Sequence, residues 1–263
     1  MLTSALNIMT ERIAAVLGEN ALSVLLYGSV PLEDFCPGWS DIDLLVLTRK
    51  PICLEQANGL VYLRQTLTAE FPGNPFFRCF EGGILSLEGF FSGKEDAVVY
   101  WGSNGQRVDQ HYCCDCFSML ELCRHSRLLL GEDVRPLLSP PQRDELVAGV
   151  AAHLQTIRQY AQQTGPSLYS YGWLLDIARC LYTLRTGDII GKTQAGSWAL
   201  AQHLCPVPDA LRAALAARED PAAARNNPQS MSLAASLGPA IQRFADVLEA
   251  ELAHPGAADA SFA

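Results

Sequence analysis

Two aspartates two residues apart, Asp41 and Asp43, head the apolar stretch DIDLLVLT (41–48), and a Gly28-Ser29 pair closes the apolar stretch ALSVLLYGS (21–29). Residues i and i+2 of a strand face the same side, so this spacing presents two carboxylates together. Two like charges held so close repel each other unless a cation lies between them, and hard oxygen ligands suit Mg²⁺ that also bridges phosphates. Gly28 lets a phosphate approach the backbone, while the Ser29 hydroxyl and neighbouring amides can hold terminal phosphates. A metal beside a phosphate cradle is a phosphoryl-transfer site. The competing reading is an ordinary turn followed by two solvated carboxylates. The glycine-serine pair after one apolar run, with the aspartates opening the next, favours chemistry.

The elements that must carry these residues follow from the pattern. Both apolar stretches read as buried strands, and the connection VPLEDFCPGWS between them, with two prolines and a glycine, must be irregular. Residues 53–71 read as a helix, and FFRCFEGGILSL (76–87) as a third strand in which Gly82 and Gly83 mark a bulge or a close backbone approach. After Ser139, Pro140 and Pro141 the period becomes helical and no further strand is expected. Ser139 would cap a helix carrying Leu146, Val150, Leu154 and Ile157, and Tyr171 to Tyr182 would lie on a second helix stopped at Gly187. Further helices are expected near 193–203, 208–219 and 231–252, then a loose tail, HPGAADASFA. The expected fold is an α/β N-terminal domain (1–140), a mixed sheet with helices, followed by an all-α helical-bundle domain (141–263).

The 263 residues can bury a large core, and 49% hydrophobic against 18% charged residues describes a globular protein, not a disordered one. No apolar run is long enough to cross a bilayer, and the N-terminal stretch reads as an amphipathic helix interrupted by Glu11 and Arg12, not as a signal peptide. A cytoplasmic location is expected. The net charge of −9 argues against a general nucleic-acid binder and would draw a cationic small substrate. Nine cysteines is an odd count. Cys79, Cys123 and Cys180 lie in apolar segments, and His111 with Cys113, Cys114 and Cys116 lacks the second ligand pair that a zinc finger needs.

The stretch LYGSVPLEDFCPGWSDIDLLVL resembles the signature of the DNA polymerase β-like nucleotidyltransferase superfamily, in which a Gly-Ser pair precedes a paired-aspartate strand and a later strand brings a third carboxylate. CRHSRLLLGEDV (123–134) and RCLYTLRTGDIIGKTQAGSWAL (179–200) resemble, in the same order, stretches of the aminoglycoside adenylyltransferases that modify streptomycin and spectinomycin. The resemblance implies an α/β nucleotidyltransferase domain followed by a helical domain that clamps substrate and nucleotide. It implies transfer of AMP from ATP, with Mg²⁺ on Asp41 and Asp43, to a hydroxyl of a cationic small molecule. A glutamate on the third strand would be the base: Glu81, in the middle of the strand-like segment, is preferred, with Glu88, just before the turn GFFSG, the other candidate. Arg179 and Lys192 match two basic residues that contact the nucleotide phosphates in the family, joining Gly28 and Ser29 as nucleotide-binding positions. His125 is left outside the site as a packed or capping residue.

Streptomycin-modifying members carry a tryptophan and an aspartate just before the arginine helix, and QYAQQTGPSLYS has neither. Trp173 and Asp176 lie inside the helix at other offsets, read as a core tryptophan and a solvated or capping aspartate. This tells against streptomycin more than against spectinomycin or another polyol, so a spectinomycin-type acceptor is expected over streptomycin. Neither nucleic acid nor membrane is expected as a partner, and a monomer is favoured over an oligomer. A different class of function would be a regulatory or antitoxin-like subunit that binds nucleotide without turnover, and a third would be nucleotidylylation of a protein or tRNA.

Overall fold

A computed structural model of the chain describes residues 1–93, 97–102 and 105–253. The stretch HPGAADASFA, read above as a tail, lies outside the described residues. By its internal contacts the chain divides into two compact units, one of residues 1–31 and 41–140, the other of residues 32–40 and 141–263.

The first unit holds a six-stranded mixed sheet. Its strands are β1 (Ala21–Tyr27), β2 (Ile42–Thr48), β3 (Phe80–Ser86), β4 (Val98–Gly102), β5 (Gly105–Asp109) and β6 (Arg127–Gly131), in the order β5-β4-β3-β2-β1-β6. Among the described residues only β2 and β3 run parallel. The parallel step is made by α2 (Leu54–Glu70), which carries the chain back across the sheet, as a parallel pair requires. Helices α1 (Leu2–Leu17), α3 (Leu87–Ser92) and α4 (Cys116–Arg124) complete the unit. Leu25, Tyr27, Leu45, Leu47 and Leu85 pack into one core cluster with Leu122 of α4, Val134 and Leu138. The strands β1, β2 and β3 are buried almost end to end, which explains why β1 and β2 read as continuous apolar runs.

The glycine pair on β3 marks close approach, not a bulge. Pairing from Ile42↔Phe80 to Thr48↔Ser86 is unbroken, so the register slips nowhere. Gly82 sits at φ 136°, and a side chain there would strike the Leu44 carbonyl; one at Gly83 would enter the Tyr112 ring. Three strands escaped the sequence reading: β4, β5 and β6. The third strand is also shorter than expected, because Pro75–Arg78 forms a 3₁₀ turn capped by Asn74 before β3 begins.

The second unit is helical: α5 (Arg143–Tyr160), α6 (Leu168–Thr186), α7 (Lys192–Ala201), α8 (Pro208–Glu219), α9 (Pro221–Asn226), α10 (Pro228–Ala235) and α11 (Gly238–Ala253). The cap of α5 is Gln142, not Ser139: its side chain and that of Glu145 form a capping box. Gly187 does end α6, in a left-handed cap. The single helix expected at 231–252 is two, α10 and α11, and the start of α11 lies so close to the Gln162 carbonyl that Gly238 has no room for a side chain.

Residues 32–40, read from the sequence as part of the first domain, group with the helices. Arg218 of α8 donates to the Asp34 carboxylate at 2.7 Å, to the Asp34 carbonyl at 2.8 Å and to the Thr193 hydroxyl at 3.0 Å, and its guanidinium lies 5.5 Å from the centre of the Trp39 ring. The Cys36 thiol donates to the Arg218 carbonyl. Asp34 also accepts from the Thr193 amide at the start of α7. This strap is the segment that sequence joins directly to the Gly28-Ser29 and Asp41 motifs.

Candidate functional site

The candidate site of the first unit is built at one end of three neighbouring strands. β1 ends at Tyr27, so Gly28 and Ser29 open the turn beyond it; β2 begins at Ile42, so Asp41 stands just before the strand and Asp43 within it. Asp43 pairs with Tyr27 on one side and with Glu81 on the other. Paired positions of neighbouring strands face the same side, so Asp43 and Glu81 share a face, and Asp41, two residues back, follows them.

Gly28 adopts φ 73°, and a side chain there would collide with the Asp43 carboxylate. The glycine therefore admits Asp43 as well as opening the backbone. The Ser29 hydroxyl donates to the Asp41 carbonyl at 3.2 Å, tying the turn after β1 to the start of β2. Glu88 lies in the first turn of α3, past the far end of β3, a full strand length from Glu81. Strand direction alone thus puts Glu81, and not Glu88, beside the aspartates.

Electrostatics single out the same residue. Glu81 is half-buried, and its pKa is pushed up to about 7, first by desolvation and then by the charge of Asp41, with Arg64 pulling the other way. Arg64 had no distinguishing sequence signal. It reaches from α2 to donate to the Phe80 carbonyl at 2.7 Å, directly before Glu81, and to the Gly102 carbonyl at 3.3 Å. Tyr27 and Tyr112 were also missed: their hydroxyls stand 3.4 Å apart, and burial, with the nearby charge of Asp43 adding to it, raises the pKa of both.

The raised pKa has a measurable consequence. Folded protein holds the Glu81 proton up to about 7, whereas an ordinary glutamate releases it at 4.5. The stability it contributes is therefore fully present below 4.5 and is lost as pH rises through about 7. In metal-free buffer Glu81→Gln is expected to be more stable than the wild type at pH 8 by about 1–2 kcal/mol, discounted for partial exposure, with the gap closing toward pH 4.5. Parallel melting curves across that range would show that the carboxyl is not perturbed.

Among the described residues, no group of three or more His, Cys, Asp or Glu side chains is arranged to hold a metal ion. A Mg²⁺ ion that comes with a triphosphate needs fewer: one or two carboxylates, the rest from phosphate and water. Asp41 and Asp43 fit that donor set, and the charge of Asp41, which adds to desolvation in raising Glu81, is what a cation would offset. Cys36, Cys180 and Cys205 are buried, whereas Cys79 and Cys123 are only partly so.

Arg179 and Lys192 belong to the second unit. Both converge on Asp176: Lys192 Nζ lies 3.0 Å and Arg179 Nη2 3.5 Å from the same carboxylate oxygen. Asp176 is thus neither a solvated residue nor a cap. Trp173, one turn earlier, stands 6.3 Å from the His153 ring, centre to centre.

Residues 137–242 match the family model of the aminoglycoside adenylyltransferase C-terminal domain. That stretch of the chain is similar to the family's C-terminal domain. The matched stretch spans α5 through α10 and includes Asp176, Arg179, Lys192 and Arg218. Across the whole chain, the fold is similar to the crystal structure of spectinomycin adenyltransferase AAD(9) from Enterococcus faecialis with ATP and spectinomycin. The TM-score is 0.67 at 14% identity, covering 94% of this chain and 99% of that one. At such identity the likeness speaks for the fold. No curated protein matches the sequence. The family-model match and the shared fold together support a nucleotidyltransferase enzyme.

Proposed function

We propose that this protein is a Mg²⁺-dependent nucleotidyltransferase that moves AMP from ATP to a hydroxyl of an aminoglycoside-like small molecule, of spectinomycin type rather than streptomycin. The observation that carries the reading is the pairing of Asp43 with Glu81, which sets a carboxyl of pKa about 7 beside two aspartates behind a glycine-serine turn. A general base works best with a pKa near the working pH. The adenylyltransferase family of residues 137–242, and the ATP and spectinomycin bound in the structure of similar fold, support donor and acceptor class.

In this reading Asp41 and Asp43 hold Mg²⁺, which when bound offsets the charge of the triphosphate. Glu81 accepts the proton of the acceptor hydroxyl. That oxygen forms its bond to the α-phosphorus, the bond to the β-phosphate breaks, and pyrophosphate leaves with the electron pair. The Ser29 hydroxyl and the backbone opened by Gly28 bind the phosphates, and Arg179 and Lys192 meet the charge that develops on the leaving pyrophosphate. Asp176 is engaged by those two cations, so it offers little charge to a cationic sugar. This accords with the spectinomycin preference, as do the missing tryptophan and aspartate of QYAQQTGPSLYS.

Among the described residues no helix is long and apolar enough to cross a membrane. The reading carries a cytoplasmic location, where ATP is at hand, and a single chain as working unit, with ATP and a cationic hydroxylated molecule as its partners and no nucleic acid. The match of the helical domain to an enzyme family favours catalysis over a binding-only subunit. Purified protein with ATP, Mg²⁺ and a panel of aminoglycosides is expected to release pyrophosphate with spectinomycin and much less with streptomycin. Folded, ATP-binding protein that stays silent across the panel would sink the proposal.

A further inference from the structure

Most of α6 is buried, yet partly exposed residues recur along it at every third position: Trp173, Asp176, Arg179 and Tyr182. Neighbouring helices meet this stripe. His153 of α5 stands by Trp173, and Trp198 of α7 packs edge-on against Tyr182 at 5.2 Å. Between these aromatic contacts Asp176 takes Lys192 from the first position of α7 and Arg179 from its own helix. The Asp176 side chain is 14% exposed, less than Lys192 at 29% and Arg179 at 21%, so the carboxylate is the inner member of the group. Burial alone would raise its pKa; Lys192 first, then Arg179 and His153, outweigh that and hold it below the ordinary value.

We propose that Asp176 is a positioning residue, a carboxylate bridge between α6 and α7 that fixes the Lys192 ammonium and the Arg179 guanidinium in one mutual arrangement for the triphosphate. The inference rests on the proposal that these two cations serve the nucleotide. Lysine is a point charge on a flexible four-carbon stem, and its placement has to come from a partner. Apolar packing already joins the helices, since Gly196 of α7 lies against Leu175 of α6. The carboxylate is therefore not needed to bring α6 and α7 together. It has a cost as well: it cancels one of two positive charges that would otherwise attract ATP.

That cost separates positioning from bulk attraction. Asp176→Asn keeps the shape and removes the charge. Ground-state binding of ATP loses placement but gains net positive charge, and the two effects oppose each other. Charge developing on the leaving group rewards only donors already in place. The expected result is a fall in kcat of about 10- to 100-fold with the KM for ATP within about threefold of wild type. Asp176→Glu should recover part of the loss. In a double-mutant cycle, Asp176→Asn added to Lys192→Ala should slow the enzyme by less than it does alone, since only Arg179 is then left for it to place.

Three outcomes would overturn the inference: a kcat in Asp176→Asn within about twofold of wild type, effects of the two substitutions that multiply, or a loss that tracks the melting temperature and is no smaller in Asp176→Glu. The single variants Arg179→Ala and Lys192→Ala tell the two failures apart. If both behave as wild type toward ATP, the nucleotide role of the cations falls and this inference with it. If they are impaired while Asp176→Asn is not, the bridge alone is wrong.

Discussion

Asparagine at position 41 or 43 is expected to abolish turnover and Mg²⁺-dependent ATP binding together, because the triphosphate loses the carboxylates that would share its metal. Glu81→Gln should behave differently: ATP binding nearly intact, and turnover lower by roughly 10²- to 10⁴-fold, the usual effect of losing a general base. Glu88→Gln should change neither, since α3 starts only after β3 has carried the chain away from Asp43. Calorimetric titration with ATP and Mg²⁺, paired with steady-state rates, separates these cases. Full activity in Glu81→Gln would place the base elsewhere, and wild-type ATP binding in Asp43→Asn would take the metal away from that aspartate.

The largest stability effect is expected at the strap. Asp34 and Arg218 are 7% and 4% exposed, so removing one partner leaves a charge out of water with nothing to balance it. Arg218→Met should destabilise the protein by about 3–5 kcal/mol, read as a lower urea midpoint. Arg218→Lys should recover only part, since an ammonium cannot reproduce the fork that reaches the Asp34 carbonyl, its carboxylate and Thr193. Replacing both members, Asp34→Leu with Arg218→Met, should cost less than Arg218→Met alone, because no charge is then stranded. A single variant within about 1 kcal/mol of wild type would mean that the pair is not desolvated as its burial implies.

What could be read in the sequence was what is local or repeated. β1 and β2 announced themselves as apolar runs because both of their faces are buried, and Gly28, Ser29, Asp41 and Asp43 fell at their ends. Glu81 needed the strand register to be set apart from Glu88, and the register depends on two glycines whose meaning was only one of two options. β5 was invisible because it is an edge strand of mostly polar, solvent-facing residues, GQRVD, held by pairing with β4. β4 and β6 are each five residues long, too short for alternation to stand out. Ser139 with two prolines imitates a helix start so well that the true cap, Gln142 with Glu145, was passed over. Arg64 against Phe80, Lys192 against Asp176 and Arg218 against Asp34 are contacts between distant positions, and side chains of ordinary type do not advertise them. Asp176 illustrates the limit: its offset in the helix was legible, but the two cations that make it a bridge were not.

The strap also dictates an order of events while the chain is being made. Residues 32–40 leave the ribosome about a hundred residues before α5 begins, and Asp34 waits through 184 positions for Arg218. The hairpin of β1 and β2 can pair early, closing a loop whose aspartate still faces water. The helical unit is thus never finished by its own C-terminal stretch; it has to recapture a segment that emerged with the sheet. Long-range closure of this kind slows folding. A gene divided after residue 140 would therefore not divide the protein into its two units: the C-terminal piece would keep Thr193 beside Arg218 but lack Asp34, Trp39 and Ser40, and the N-terminal piece would carry an acidic loop with no helix to receive it.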